Sequence, residues 1–163
     1  MRILIATDSH LGQTVPTCNA NWYRVRDFAA RCDASLTLHL GDITRDAWRA
    51  PDEIAFAAHL MRHWPTEIRF LPGNHDVGDN PPAGNGPRAA PYAEPFSDRQ
   101  LELFRTHFGA DHWLGETGSG WILIGLNAQL FGTATDEEAG QWAFLEHAVE
   151  RAAGKPVAIF SHK

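Results

Sequence analysis

Four strand-length apolar runs in this chain end the same way, in Asp, Asn or His. Residues 2–7 (RILIAT) lead into Asp8-Ser9-His10, and residues 35–40 (SLTLHL) into Gly41-Asp42. Residues 67–71 (EIRFL) lead into Pro72-Gly73-Asn74-His75-Asp76, and residues 156–160 (PVAIF) into Ser161-His162. Helical stretches at 22–33 and 51–64 separate the first three runs, the second with Pro51 placed for a first turn. Strand, helix, strand, helix, strand predicts parallel βαβ units. In such a sheet the carboxyl ends of the strands lie along one edge, where sites are built. The chain therefore delivers Asp, Asn and His repeatedly to one place.

The remainder reads as further α/β structure. A Pro/Gly-rich stretch at 77–97 predicts a long irregular loop. Ser97 with Gln100 predicts a capping box for a helix through about Phe108. Residues 112–117 and 120–127 predict a hairpin across Gly118-Ser119-Gly120. Thr135 with Glu138 predicts a second capping box. The helix behind it is expected to bury Ala139, Trp142, Leu145, Ala148 and Val149 and to stop at Gly154. The acidic run at 136–138 suits that helix N-terminus. With 44% hydrophobic residues the chain can form a real core, and residues 1–163 are expected to be one domain with the 77–97 loop as an insertion.

Charge and cysteine content narrow the function classes. A net charge of −6 argues against a surface tuned for long nucleic acids. Cys18 and Cys32 form no Cys-x-x-Cys pair and read as reduced thiols. The apolar runs are too short for a membrane span, and the N-terminus lacks a signal-peptide pattern, so a cytoplasmic location is expected. Gly84-x-Gly86-x-x-Ala89 echoes a dinucleotide fingerprint but has neither the strand before it nor the helix after it. Trp22, Tyr23 and Arg24 suit a substrate pocket or a helix packed on the sheet equally well. Among the nine histidines, His59, His63, His107 and His147 lie on helical stretches, and His39 within a strand reads as structural.

The strand-end residues suit metal. Asp8 and His10, two apart on a strand, would point the same way. Asp42 has two oxygens and can bridge two ions, Asn74 offers a neutral oxygen, and His162 an imidazole nitrogen. Mixed nitrogen and oxygen ligation favours Mn, Fe, Zn, Ni or Co over Ca or Mg.

The stretches TDSHLG at 7–12, LGD at 40–42, LPGNHD at 71–76 and FSH at 160–162, in this order, resemble the calcineurin-like metallophosphoesterases. The segment HFGADHWLGETGSGWILIGLNAQL and the helix after it are similar to the branch containing class III cyclic-nucleotide phosphodiesterases. The resemblance implies a four-layer α/β/β/α sandwich and a dinuclear centre of divalent or trivalent transition metals. It implies hydrolysis of a phosphoric ester, here a small phosphodiester such as a cyclic nucleotide, by a hydroxide activated between two metals. Asp8 and His10 would bind the first metal, Asp42 both, and Asn74 and His162 the second. His75 would face the leaving oxygen as general acid or charge stabiliser, with Asp76 orienting or tuning it; histidine changes charge near neutral pH, which suits that task. Two departures stand out. Arg45 occupies a place that is often acidic in the family, and no role is assigned to Asp46. A Gly-His-x-His segment implied beyond His162 does not occur in these residues, so the sandwich is expected to be C-terminally incomplete and its edge covered in a homodimer. The competing expectations are a truncated, inactive domain that binds metal or phosphate weakly and, less favoured, a nuclease subunit.

Overall fold

In the computed structural model, which describes residues 1–81 and 94–162, the chain forms two three-stranded sheets. The first contains β1 (Ile3–Ala6), β2 (Leu36–His39) and β3 (Glu67–Phe70), all parallel, in the order β1-β2-β3. The second has β4 (Trp113–Glu116) antiparallel to β5 (Ile122–Gly125), which pairs in parallel with β6 (Val157–Phe160). The helices are α1 (Pro16–Ala29), α2 (Asp52–Met61), the single turn α3 (Asn74–Val77), α4 (Asp98–Phe108) and α5 (Asp136–Ala152).

Side-chain alternation along the central strands explains the layering. Leu36 and Leu38 of β2 meet Leu123 of β5, with Ile3, Trp113 and Phe160 packed around them, so the two sheets face each other. The opposite face of the first sheet lies under α1, α2 and α4 through Trp22, Ala57, Met61, Leu101 and Phe104. Ile122 and Ile124, pointing the other way from Leu123, pack on Ala148 and Ala152 of α5. Helix, sheet, sheet, helix is the expected four-layer order. Arg105 pins two of these layers together, reaching Asp111 at 2.9 Å and Glu137 at the start of α5 at 2.6 Å.

Several local expectations are corrected. α1 begins six residues earlier than the apolar pattern indicates, at Pro16, because proline suits a first turn. Ser97 caps nothing with its side chain, and the Gln100 amide donates instead to the Trp48 carbonyl. At α5, Thr135 does accept from the Glu138 amide, but the Glu138 carboxylate reaches back to Gly132 and Ala134 rather than to Thr135. The buried face of α5 is Gln141, Phe144, Leu145, Ala148 and Ala152, while Trp142 and Val149 are exposed. Gln141 displaces them because its amide exchanges two hydrogen bonds with the Asn127 backbone. Of the 77–97 loop, 82–93 lies outside the described residues, as does the Gly84–Ala89 pattern; Asp79 and Pro95 bridge its two ends. Trp22 resolves toward packing: it is 2% exposed and stacks on Trp64 at 4.5 Å. Ile5 on β1 and Val157 and Ile159 on β6 are exposed along the outer strands. Among the described residues no helix is long and apolar enough to cross a membrane.

Candidate metal centre

The site grows from a continuation of β1–β2 pairing beyond the strands. The Asp8 amide donates to the Gly41 carbonyl, that of His10 to Asp42, and that of Leu11 to Ile43. To keep these bonds the backbone turns left-handed at Asp8 (φ 55°), His10 (φ 45°) and Asp42 (φ 50°). Asp and His tolerate this region better than most residues, yet each such turn costs about 1–3 kcal/mol and persists only where surroundings enforce it. Asp8 and His10 therefore converge by two strained turns, not by the strand alternation the sequence suggests. Two glycines make room. A Cβ at Gly73 would collide with the Asp42 carboxylate, and one at Gly41 would stand 2.7 Å from the His162 ring.

Asp42 is the centre, 4% exposed. Its Oδ1 accepts from the His75 amide at 3.0 Å and lies 3.4 Å from His162 Nε2. Its Oδ2 lies 3.8 Å from His10 Nε2 and 4.0 Å from His75 Nε2. His10 Nε2 is also 3.7 Å from Asp8 Oδ1. Burial works to raise the Asp42 carboxyl, but His162 and the His75 amide outweigh it and hold it below the usual carboxylate range. Burial likewise opposes charge on His162, and Asp42 prevails, raising it. His162 itself is buried, with Nδ1 3.5 Å from the Thr7 hydroxyl, which in turn donates to Asp8.

Two sets of donor atoms gather within 4.8 Å: Asp8, Asp42 and His162, and His10, Asp42 and His75. Asp42 belongs to both. Most of these nitrogen–oxygen separations are too long for hydrogen bonds. They suit donors that share a cation at about 2.0–2.2 Å each. Two carboxylates and three imidazoles form a coherent donor set for borderline transition metals, and the residues present fit such ions. Asn74 stands beside His75 on α3 and lines the neighbouring cavity.

Asp76 does not orient the His75 ring as expected. It is fully buried and accepts from the amides of Ile43 (3.1 Å), Thr44 (2.8 Å) and Gly73 (2.9 Å) and from the Thr44 hydroxyl (2.7 Å). Burial pushes its carboxyl up, and the four donors oppose that; only the ionised form accepts all four. The His75 ring is held instead by the Arg45 carbonyl, 2.6 Å from Nδ1. A carbonyl can only accept, so Nδ1 carries a proton.

His39 and Ser9 brace the same loops. His39 is fully buried, and burial lowers it to about 3. Its Nδ1 accepts from the Gly41 amide at 3.4 Å, and its Nε2 is 3.0 Å from Ser9 Oγ, which donates to the Ile43 carbonyl. In the unfolded chain the same imidazole takes a proton near pH 6.5. Between those values the unfolded state binds the extra proton, so stability falls as pH drops from about 6.5 toward 3 and is unaffected above 6.5. Between pH 6.5 and 4.5 this amounts to about 2 kcal/mol. Urea unfolding of the wild type should lose that much more than His39→Gln over the same range; parallel pH profiles would refute the prediction.

No curated protein matches the chain. Among solved structures, that of purple acid phosphatase PPD1 from yellow lupin (Lupinus luteus) seeds aligns with a TM-score of 0.51 at 13% identity. The alignment covers 92% of this chain and 27% of that one, so this chain spans about a quarter of its length, and at this identity the likeness speaks for the fold. A family model described as calcineurin-like phosphoesterase matches residues 1–163, and the chain, with its Asp42-centred donor set at the strand ends, belongs to that family.

Proposed function

We propose that the chain hydrolyses a phosphoric ester with the help of two transition metal ions, and that the substrate is a small phosphodiester such as a cyclic nucleotide. The observation that carries this reading is the convergence of two donor sets on one buried carboxylate, Asp42. The family resemblance gives Asp8 and His10 to one ion and Asn74 and His162 to the other, with Asp42 between them, whereas the donor atoms themselves group Asp8 with His162 and His10 with His75 around Asp42. When bound, such ions act as Lewis acids toward the phosphoryl group and lower the pKa of water. An ester with a sizeable organic group draws support from the cavity of about 670 Å³ beside Asn74 and His75, which takes more than a bare phosphate.

His75 is the acid in this reading. Its Nδ1 proton is committed to the Arg45 carbonyl, so Nε2, on the Asp42 side, is the nitrogen that would pass a proton to the leaving oxygen. Asp76 is a positioning residue: it binds the loop carrying Asp42 to the turn carrying Asn74 and His75. The test uses Mn and an activated aryl phosphodiester. His75→Ala should lower kcat by about 10²–10⁴-fold while Mn content changes little. Equal loss of turnover and metal would remove the acid role, and less than one tightly held ion per chain in the wild type would defeat the two-metal reading.

A further inference from the structure

Beside His75 the cavity of about 670 Å³ continues away from Asp42 along a wall of Arg45, Trp48, Arg49 and Glu53. Its charges are mostly matched. Arg49 reaches Glu94 at 2.7 and 3.1 Å and Asp46 at 3.4 Å, which occupies one cation and two carboxylates. Glu53 accepts from the Asp46 amide at 2.7 Å. Arg45 is different. Its side chain is exposed and makes no ion pair within 4.0 Å among the described residues, and the Glu53 carboxyl is the acid that feels its charge.

Its backbone, by contrast, is held on both sides. The Arg45 amide donates to the Leu11 carbonyl at 2.8 Å, and its own carbonyl receives the His75 ring. A guanidinium without a close ion pair among the described residues thus starts from a fixed point next to the proposed acid. A guanidinium offers five donors in a planar fork that matches the oxygens of a phosphoryl group. Trp48, half-buried, lines the same cavity with its indole N–H tied to the Pro95 carbonyl at 3.0 Å. That bond restrains the ring, and a restrained aromatic face is a platform for a planar base.

We infer that this cavity is a leaving-group subsite in which Arg45 binds a second phosphoryl group and Trp48 takes a nucleobase. The inference rests on the phosphoester reading for where the reacting phosphorus sits. Within the small phosphodiesters it favours a nucleotide-type diester whose leaving alcohol carries another phosphate over a cyclic mononucleotide, which lacks that group.

The test is calorimetric titration of the Mn-loaded and metal-free chain with adenosine 3′,5′-bisphosphate and with adenosine 3′-monophosphate. The bisphosphate should bind about tenfold or more tightly, as expected of one charge-assisted, forked contact. Arg45→Met should bring the ratio of the two affinities close to one, and Arg45→Lys should restore part of it. Equal affinities in the wild type, a ratio unchanged in Arg45→Met, or binding of neither nucleotide would each overturn the subsite. Hydrolysis of an aryl phosphodiester without nucleotide discrimination would sink the subsite and spare the phosphoesterase reading. Discrimination lost in Arg45→Met, in a chain that cleaves no ester, would do the reverse.

Discussion

Asp42→Asn is expected to remove metal binding and phosphoester hydrolysis together while the chain stays folded. The amide oxygen can still accept from the His75 N–H, now made to Asp42 Oδ1 at 3.0 Å. The other carboxylate oxygen, which faces His10 and His75, becomes an NH₂ group with no lone pair for a metal. Both donor sets contain Asp42, so one substitution should impair both ions, whereas Asp8→Asn should impair one set first. Loss of an outer partner of a metal site costs about 10–100-fold in affinity, and loss of a shared ligand should exceed about a hundredfold. Metal content after equilibrium dialysis, with circular dichroism as the check on folding, measures this. A folded Asp42→Asn chain retaining near-wild-type Mn would show that the centre is not organised on Asp42.

Asp76→Ala should be the most destabilising change near the site. It strips the partner from three backbone amides and a hydroxyl in a fully buried position. The Thr44 hydroxyl has an alternative acceptor in the His75 carbonyl at 3.2 Å, but no alternative is seen among the described residues for the Ile43, Thr44 and Gly73 amides. Each orphaned buried donor costs about 1–3 kcal/mol, so a total of roughly 3–6 kcal/mol is expected, large against the ordinary 5–15 kcal/mol of domain stability. Asp76→Asn, which keeps one accepting oxygen, should lose less. Urea unfolding of the metal-free chains gives both values, and a loss below about 1 kcal/mol in Asp76→Ala would contradict the bracing role.

These two aspartates show how unevenly the site can be read before folding. Both sit in the same kind of place, at the end of a strand-length apolar run. Asp42 follows a glycine and Asp76 follows a histidine, and nothing in that local context says which carboxylate turns toward the histidines. The structure turns Asp42 toward the histidines and Asp76 toward the amides of Ile43, Thr44 and Gly73. The difference arises from contacts made across some thirty residues of chain. The partner of the His75 ring was equally hidden: it is a backbone carbonyl, and every residue has one, so no side-chain pattern marks it. The face of α5 departs from its apolar pattern for a related reason. Hydrophobicity favours Trp142 and Val149, while Gln141 goes inward because the Asn127 backbone needs its amide.

The amino-acid order by itself determined the layers and the supply of donors. Apolar runs of strand length, separated by helical stretches, require parallel pairing in the first half. That pairing places Asp8, His10, Asp42, Asn74 and His75 at one edge, and the return of the chain through β6 brings His162 there. Folding decided the rest: the left-handed turns that bend Asp8 and His10 inward, the bracing by Asp76, and the exposed Arg45 beside His75. Those depend on backbone groups and on long-range packing, which give no local signal in side-chain type or spacing.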